Sequence, residues 1–354
     1  MAAAQTNKGT INVGIVGLGF MAATHVKAYR QIPEARIHAV CNPSGRCLDG
    51  DLTKVGGNIN ANDPVRLDMT QIKGTREFAD LLNDPQIDLI DICTPTLQHP
   101  EMFAAALRAG KHVICEKPLA RDSKLAGEMV ANARSAEGRR VFSMPAMCLR
   151  FWPEWAWLKQ AIANNTYGKV LSARFRRMAE PPHWGQKHFA QGSSSGGALL
   201  DLHIHDIDFI QYCFGMPKRV FATGYSKYTG AIDHVVAQFD VASGAIVHAE
   251  GSWAMAPGFG FHMSYTVNFE NATADYDIVR APTDMLKLFR PGQPAEVIKC
   301  TGADGYVQEL QHIFDSIRSG VAPSVVTMAD GLAAIQICEA EEKSIQSKSP
   351  VQII

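Results

Sequence analysis

Asp201-Leu202-His203-Ile204-His205-Asp206-Ile207-Asp208 places three carboxylates and two histidines within eight residues. A buried stretch rarely carries so many polar groups, because each needs a partner once it leaves water. An imidazole titrates near neutrality, so a histidine here suits removal of a hydroxyl proton. Asp and His together also suit several divalent ions, which makes metal-assisted chemistry the competing use. A purely structural polar element is the third reading. As a helix, the stretch sets Asp201, His205 and Asp208 on one face; as a strand, it sets Asp201, His203 and His205 on one. The apolar residues Leu202, Ile204, Ile207 and Phe209 fit either period.

Glu116-Lys117-Pro118 follows the apolar run His112 to Cys115. At the carboxyl edge of a parallel sheet, where ligands bind, Lys117 would project toward a nicotinamide crevice, with Pro118 ending the strand. Outside that context the tripeptide is only a charged surface turn. Gly17-Leu18-Gly19-Phe20-Met21-Ala22 follows the β-type run Ile11 to Val16 and opens a helical pattern. In that setting Gly17 permits the tight turn, Gly19 admits a pyrophosphate to backbone N–H groups, and Ala22 lets the helix pack closely on the sheet. The helix N-terminus then faces the anion.

About twenty residues after such a motif, an acid usually binds the ribose 2′-hydroxyl of NAD. The residue found there is Asn42, followed by Pro43-Ser44-Gly45-Arg46. No carboxylate repels a 2′-phosphate at this point, and Ser44 and Arg46 could pair with one. The expectation is therefore NADP preferred over NAD. The alternative is that Arg46 is a solvated loop charge.

The elements that position these groups change character along the chain. Up to about Met144, strands (Ile11–Val16, Arg36–Cys41, Ile87–Cys93, His112–Cys115) alternate with helices (Met21–Ile32, Arg76–Leu82 capped by Thr75, Pro100–Ala109, Ser123–Ala136). That alternation predicts a doubly wound parallel sheet. The polar segment Asn42 to Thr70 has no assignable element. Later come a helix over Pro153–Asn164, an alternating run Val170–Arg177, and a helix near Leu202–Phe214. Serial β-type runs follow at Arg219–Tyr228, His234–Val241, Ala245–Trp253 and Met263–Phe269, then helices at Tyr306–Ser319 and Met328–Ser347. Serial strands predict a mostly antiparallel sheet, different in kind from the first half. The division is set at residues 1–145 and 146–354.

The chain has 354 residues, 46% hydrophobic and 19% charged, which suits two globular domains and excludes disorder along its whole length. Its 34 basic and 35 acidic residues leave a net charge of -1, so no general attraction to nucleic acid or anionic membrane is expected. No apolar run approaches the ~20 residues of a membrane span. The first nine residues lack the pattern of an export signal, and the eight cysteines form no Cys-x-x-Cys pair. A cytoplasmic protein with reduced thiols and no structural zinc is the expectation.

Taken in order, Gly17-x-Gly19-x-x-Ala22, Thr94-Pro95 with His99, Glu116-Lys117-Pro118, Arg150-Phe151-x-Pro153 and Gly197-x-x-x-Asp201-x-x-x-His205 resemble the glucose–fructose oxidoreductase/inositol dehydrogenase/MocA family. The resemblance runs from about residue 11 to 340. It implies a Rossmann domain, then an α/β domain with a large open sheet, which binds substrate and builds homodimers or homotetramers through that sheet. It also implies NAD(P)-dependent hydride transfer to or from a sugar, glycoside, inositol or polyol. By position, Lys117, Asp201 and His205 become the catalytic group. The cofactor contacts become Gly17, Gly19, Phe20, Met21, Ala22, Asn42, Ser44, Arg46, Thr94, Pro95, His99, Glu116 and Lys117. The substrate contacts add Arg150, Trp184 and His203. Three departures stand out: Asn42 in place of an acid, His203 where glycine is frequent, and the long Asn42–Thr70 segment. His203 could contact substrate, act as the base or bind metal. Trp184, in Pro181-Pro182-His183-Trp184-Gly185, could face a sugar ring or simply pack in its loop. A cofactor-binding sensor without turnover and a metal-assisted hydrolase or lyase on a keto-sugar are the competing functions.

Overall fold

A computed structural model describes residues 9–57, 64–183 and 189–353. Among them, six short strands rich in β-branched residues form one parallel sheet: β1 (Ile11–Val16), β2 (Ala35–Cys41), β3 (Lys73–Thr75), β4 (Leu89–Ile92), β5 (His112–Glu116) and β6 (Ser143–Ala146). Their order is β3-β2-β1-β4-β5-β6. The strand order reverses between β1 and β4, which is where an open α/β sheet binds its ligand. Helices α1 (Phe20–Tyr29), α2 (Phe78–Asn83), α3 (His99–Arg108) and α4 (Ser123–Glu137) alternate with the strands. The β4 residues are all buried, as expected of a strand covered on both faces.

Two details differ from expectation here. The predicted helix at Arg76 starts instead at Phe78, because Lys73–Thr75 pairs with β2 as an edge strand. Thr75 Oγ1 still accepts the Glu77 N–H, at 3.1 Å. Ser143–Ala146, unassigned from sequence, completes the sheet beside β5.

The second sheet has nine strands in the order β14-β13-β12-β11-β7-β10-β9-β8-β15. These are β7 (Val170–Ala179), β8 (Arg219–Tyr225), β9 (His234–Asp240), β10 (Ile246–Ser252), β11 (Phe261–Phe269), β12 (Thr273–Asp277), β13 (Leu286–Phe289), β14 (Glu296–Val297) and β15 (Val351–Gln352). Every pairing is antiparallel except β7 with β10. One face of the sheet covers an aromatic core in which Trp155 meets Phe209 edge-on at 4.8 Å and Tyr265 at 5.1 Å. Helices α5 (Pro153–Ala163) and α6 (Ile204–Phe214) supply Trp155 and Phe209.

The chain divides into one unit of Met1–Ala120, Lys124–Cys148 and Gly305–Gly331, and another of Arg121–Ser123, Leu149–Asp304 and Leu332–Ile354. The units are discontinuous, whereas the sequence suggested a single division at 145/146. Helix α7 (Gly305–Ser319) returns to the first unit, and α8 (Met328–Ser347) begins there. The cause is packing: Leu310, Ile313 and Phe314 are buried, Phe314 meets Tyr29 of α1 at 5.9 Å, and Arg318 pairs with Glu34. No described helix is long and apolar enough to cross a membrane.

Candidate active site

In the first unit, Gly17 ends β1 with φ +88°, and a Cβ there would lie 2.6 Å from the Cys93 carbonyl oxygen. Only glycine fits this turn, which lies at the reversal of strand order. Gly19 is the N-cap of α1 and brings no side chain to its N-terminus, and the first turn holds no acid. A Cβ on Gly19 would meet nothing within 4 Å, so packing does not demand glycine there. A residue without a side chain leaves the helix N-terminus open to close approach by a pyrophosphate, so these residues fit a dinucleotide. Ala22 is fully buried under the helix. Phe20 lies against Gly57, which brings the Asn42–Thr70 segment over this end of α1; residues 58–63 are outside the described ones.

Asn42 organises the turn after β2. Its Oδ1 accepts from Ser44 Oγ at 3.0 Å, and its Nδ2 donates to the Arg46 carbonyl at 2.7 Å. Ser44 and Arg46 are exposed. Arg76, not foreseen from sequence, donates from Nη2 to the Ser44 carbonyl at 3.1 Å. Two arginines thus border the turn after β2.

Lys117 follows β5 and is partly exposed, and its backbone N–H donates to Glu116 Oε2 at 3.1 Å. Thr94 is buried and Pro95 exposed. Two expected cofactor contacts are corrected. Glu116 is 5% exposed, and its Oε1 faces His25 Nε2 at 3.4 Å, so the carboxylate points inward. His99 is 1% exposed, with Nδ1 2.9 Å from the Pro118 carbonyl and Nε2 2.8 Å from the Thr94 carbonyl. It holds backbone and offers no surface to a ligand.

Beneath these loops lies a buried polar cluster. His25 Nδ1 meets Asp91 Oδ2 at 2.8 Å, Tyr29 donates to the same oxygen at 2.9 Å, and Cys93 Sγ donates to Asp91 Oδ1 at 3.3 Å. The His25, Asp91 and Cys93 donor atoms lie within 4.8 Å of one another, a spacing a metal ion would also accept, and hydrogen bonds already join them. Burial alone would lower the His25 pKa; Asp91 and Cys93, through their charges and hydrogen bonds together, hold it well above the ordinary value.

In the second unit, Leu199–His203 forms a π-helical turn that runs into α6. Such turns often mark functional sites. From Ser195 to Gln211 every residue is buried except Asp201 and His205. Three buried pairs enforce that outcome. His203 Nε2 meets Glu341 Oε1 of α8 at 3.0 Å. Arg177 of β7 grips Asp206 through Nε at 2.9 Å and Nη2 at 3.2 Å. Arg150 grips Asp208 through Nε at 2.8 Å and Nη2 at 2.7 Å. Cys338, one turn before Glu341, donates to the Leu199 carbonyl at 3.8 Å. Burial opposes the charged form of His203, but Glu341 raises its pKa above the ordinary value; burial likewise raises Glu341.

The helical reading of this stretch therefore holds, with two corrections. His203 is fully buried against Glu341 and stands apart from the exposed pair, so it contacts no substrate and does not join Asp201 and His205 around a metal. Arg150 is 4% exposed and spends its guanidinium on Asp208, so it too is withdrawn from substrate. Trp184 lies outside the described residues.

Residues 11–143 match the family profile described as an oxidoreductase family with an NAD-binding Rossmann fold. Residues 155–275 match the GFO/IDH/MocA C-terminal domain. The chain belongs to the Gfo/Idh/MocA family of oxidoreductases. Among its relatives is the myo-inositol 2-dehydrogenase of Thermotoga maritima, 26% identical, the match covering 97% of this chain and 98% of that protein. The trans-1,2-dihydrobenzene-1,2-diol dehydrogenase of Sus scrofa is 28% identical over 94% and 96% of the two chains. That of Oryctolagus cuniculus is 30% identical over 77% and 83%. A levoglucosan dehydrogenase solved with NADH and levoglucosan superposes with a TM-score of 0.82 at 22% identity, over 98% of this chain and 99% of that one, which is a likeness of fold.

For a Gfo/Idh/MocA protein, the residues that sequence reasoning missed are the supports: the exposed Arg76 and the buried His25, Asp91, Arg177 and Glu341. For the buried ones the one available signal was their type, since buried charges must be paired. Their partners lie too far along the chain to be matched by spacing.

Proposed function

We propose that this chain is a dehydrogenase that exchanges a hydride between NADP(H), in preference to NAD(H), and a hydroxyl-bearing carbon of a sugar, glycoside, inositol or polyol. The observation that carries the reading is the selective exposure of Asp201 and His205 in an otherwise buried run. The relatives' names support the substrate class: inositol and a dihydrobenzene diol each offer a hydroxyl on a ring carbon.

When bound, the nicotinamide supplies the hydride acceptor or donor. His205 removes the hydroxyl proton on oxidation and returns it on reduction. Lys117 donates a hydrogen bond to the same oxygen and stabilises its developing negative charge. Asp201, one turn before His205, orients the substrate or the imidazole. A screen of sugars, glycosides, inositols and polyols with NADP and NAD in parallel tests the proposal. Formation of reduced nicotinamide with one class supports it. Cofactor binding with no turnover across all four classes would favour the sensor reading instead.

The NADP preference rests on Asn42 in place of an acid and on Arg46 beside Arg76. A charge-assisted hydrogen bond contributes about 1.5–3 kcal/mol, so Arg46→Ala and Arg76→Ala should each weaken NADP binding about tenfold or more. NAD binding should not change. Equal affinity of the unaltered protein for both dinucleotides would count against the preference. The outer sheet face carries exposed Phe221, Tyr225, Val236 and Ile246, which supports burial against a second copy in a homodimer or homotetramer. Sedimentation at micromolar concentration checks this, and a monomer there would end it.

A further inference from the structure

The Lys117 turn is gripped from both of its neighbours in sequence. On one side, Glu116 accepts the Lys117 N–H with Oε2 and faces His25 with Oε1. His25 in turn is anchored to Asp91, whose other bonds come from Tyr29 and Cys93. On the other side, the Pro118 carbonyl lies 2.9 Å from His99 Nδ1, and the opposite ring nitrogen lies 2.8 Å from the Thr94 carbonyl. His25, Asp91 and His99 are each 0 or 1% exposed, so none of them meets substrate or cofactor directly. Two buried imidazoles thus connect the Lys117 turn to the end of β4 and to helix α1, which opens on the dinucleotide motif.

We propose that His25 and His99 are positioning residues for Lys117, His25 acting through the Glu116 carboxylate and His99 through the Pro118 carbonyl. The inference rests on the catalytic role given to Lys117 above. The physical reason is that a lysine side chain has four flexible bonds, so the place of its ammonium depends on a fixed backbone. A displacement of ~1 Å in a reacting group can cost on the order of a hundredfold in rate. His25 is hydrogen-bonded to Asp91 at 2.8 Å and stands in ion-pair contact with Glu116 at 3.4 Å, and such a buried carboxylate–imidazole–carboxylate arrangement resists displacement better than a surface turn does.

The test measures kcat, KM and the NADPH dissociation constant for His25→Gln, His99→Gln and Glu116→Gln, each alone and combined with Lys117→Ala. The expected result is a fall of about tenfold or more in kcat for each single variant, with NADPH affinity within about twofold. The pair His25→Gln/Glu116→Gln should lose little more than either alone, because both break one bridge. In the Lys117→Ala background the three replacements should change kcat by less than about twofold. A general structural role would lower turnover in that background too, and that outcome overturns the proposal. So does unchanged kcat in all three single variants. Should His25→Gln fail to accumulate folded, Glu116→Gln carries the same test, since it is isosteric and keeps an acceptor for the Lys117 N–H. The two readings fail separately: full turnover by Lys117→Ala removes the catalytic role itself, whereas a dead Lys117→Ala beside fully active histidine variants removes only the positioning role.

Discussion

His205→Ala is expected to lower turnover by about a hundredfold to ten-thousandfold while NADP affinity stays unchanged, which is the range for loss of a positioned general base. His205 lies one helical turn beyond Asp201, and both are part-exposed while their neighbours are sealed. The other histidine and two of the three carboxylates of the stretch are engaged inside: His203 is buried on Glu341, and Asp206 and Asp208 are each gripped by an arginine. On the role proposed for it, Lys117→Ala is expected to cost a comparable factor, about a hundredfold or more. Steady-state rates with the substrate found in the screen, beside cofactor titration, decide the matter. Retained turnover in both single variants would remove the proton-transfer assignment and leave a binding protein.

Some of this was legible along the chain, and some could not be. The Gly17 turn was readable because its causes are local: a β-type run, a left-handed residue, and a helix start. The Asp201–Asp208 stretch was readable as chemistry but not as geometry. Leu202, Ile204, Ile207 and Phe209 satisfy both periods, and only the contacts with β7, α8 and Arg150 show which polar groups are consumed inside. Arg150 is fifty-eight residues from Asp208, and His203 is 138 residues from Glu341, beyond the reach of any spacing argument. Arg76 sits in an unremarkable polar run until β3 pairs with β2 and carries it to the Asn42 turn. The return of Gly305–Gly331 to the first unit has the same origin, since an amphipathic helix announces its buried face but not the surface that covers it.

The helix that presents Asp201 and His205 should also be the most sensitive point for stability in the second unit. Arg177→Ala is expected to destabilise folding by about 3–5 kcal/mol, because it leaves the Asp206 carboxylate buried, 0% exposed, without its guanidinium. The loss extends beyond the ion pair. Arg177 Nη1 also donates to Met263 Sδ at 3.0 Å, and its guanidinium lies 5.8 Å from the Trp155 ring and 5.9 Å from that of Phe261. Against the ~5–15 kcal/mol that holds a typical domain, this is a large share, and the melting temperature should fall by on the order of 10 °C. Replacing both partners with apolar residues, Arg177→Met with Asp206→Leu, should restore much of the stability, since no buried charge is then stranded. Turnover should not recover with it. An ion pair bonded through two nitrogens fixes the rotation of α6 about its axis, whereas two apolar side chains allow several packings. Calorimetry on the single and double variants, read beside their rates, separates the two effects. Recovery of both stability and rate in the double variant would mean that the Arg177–Asp206 pair fills space and does not aim His205.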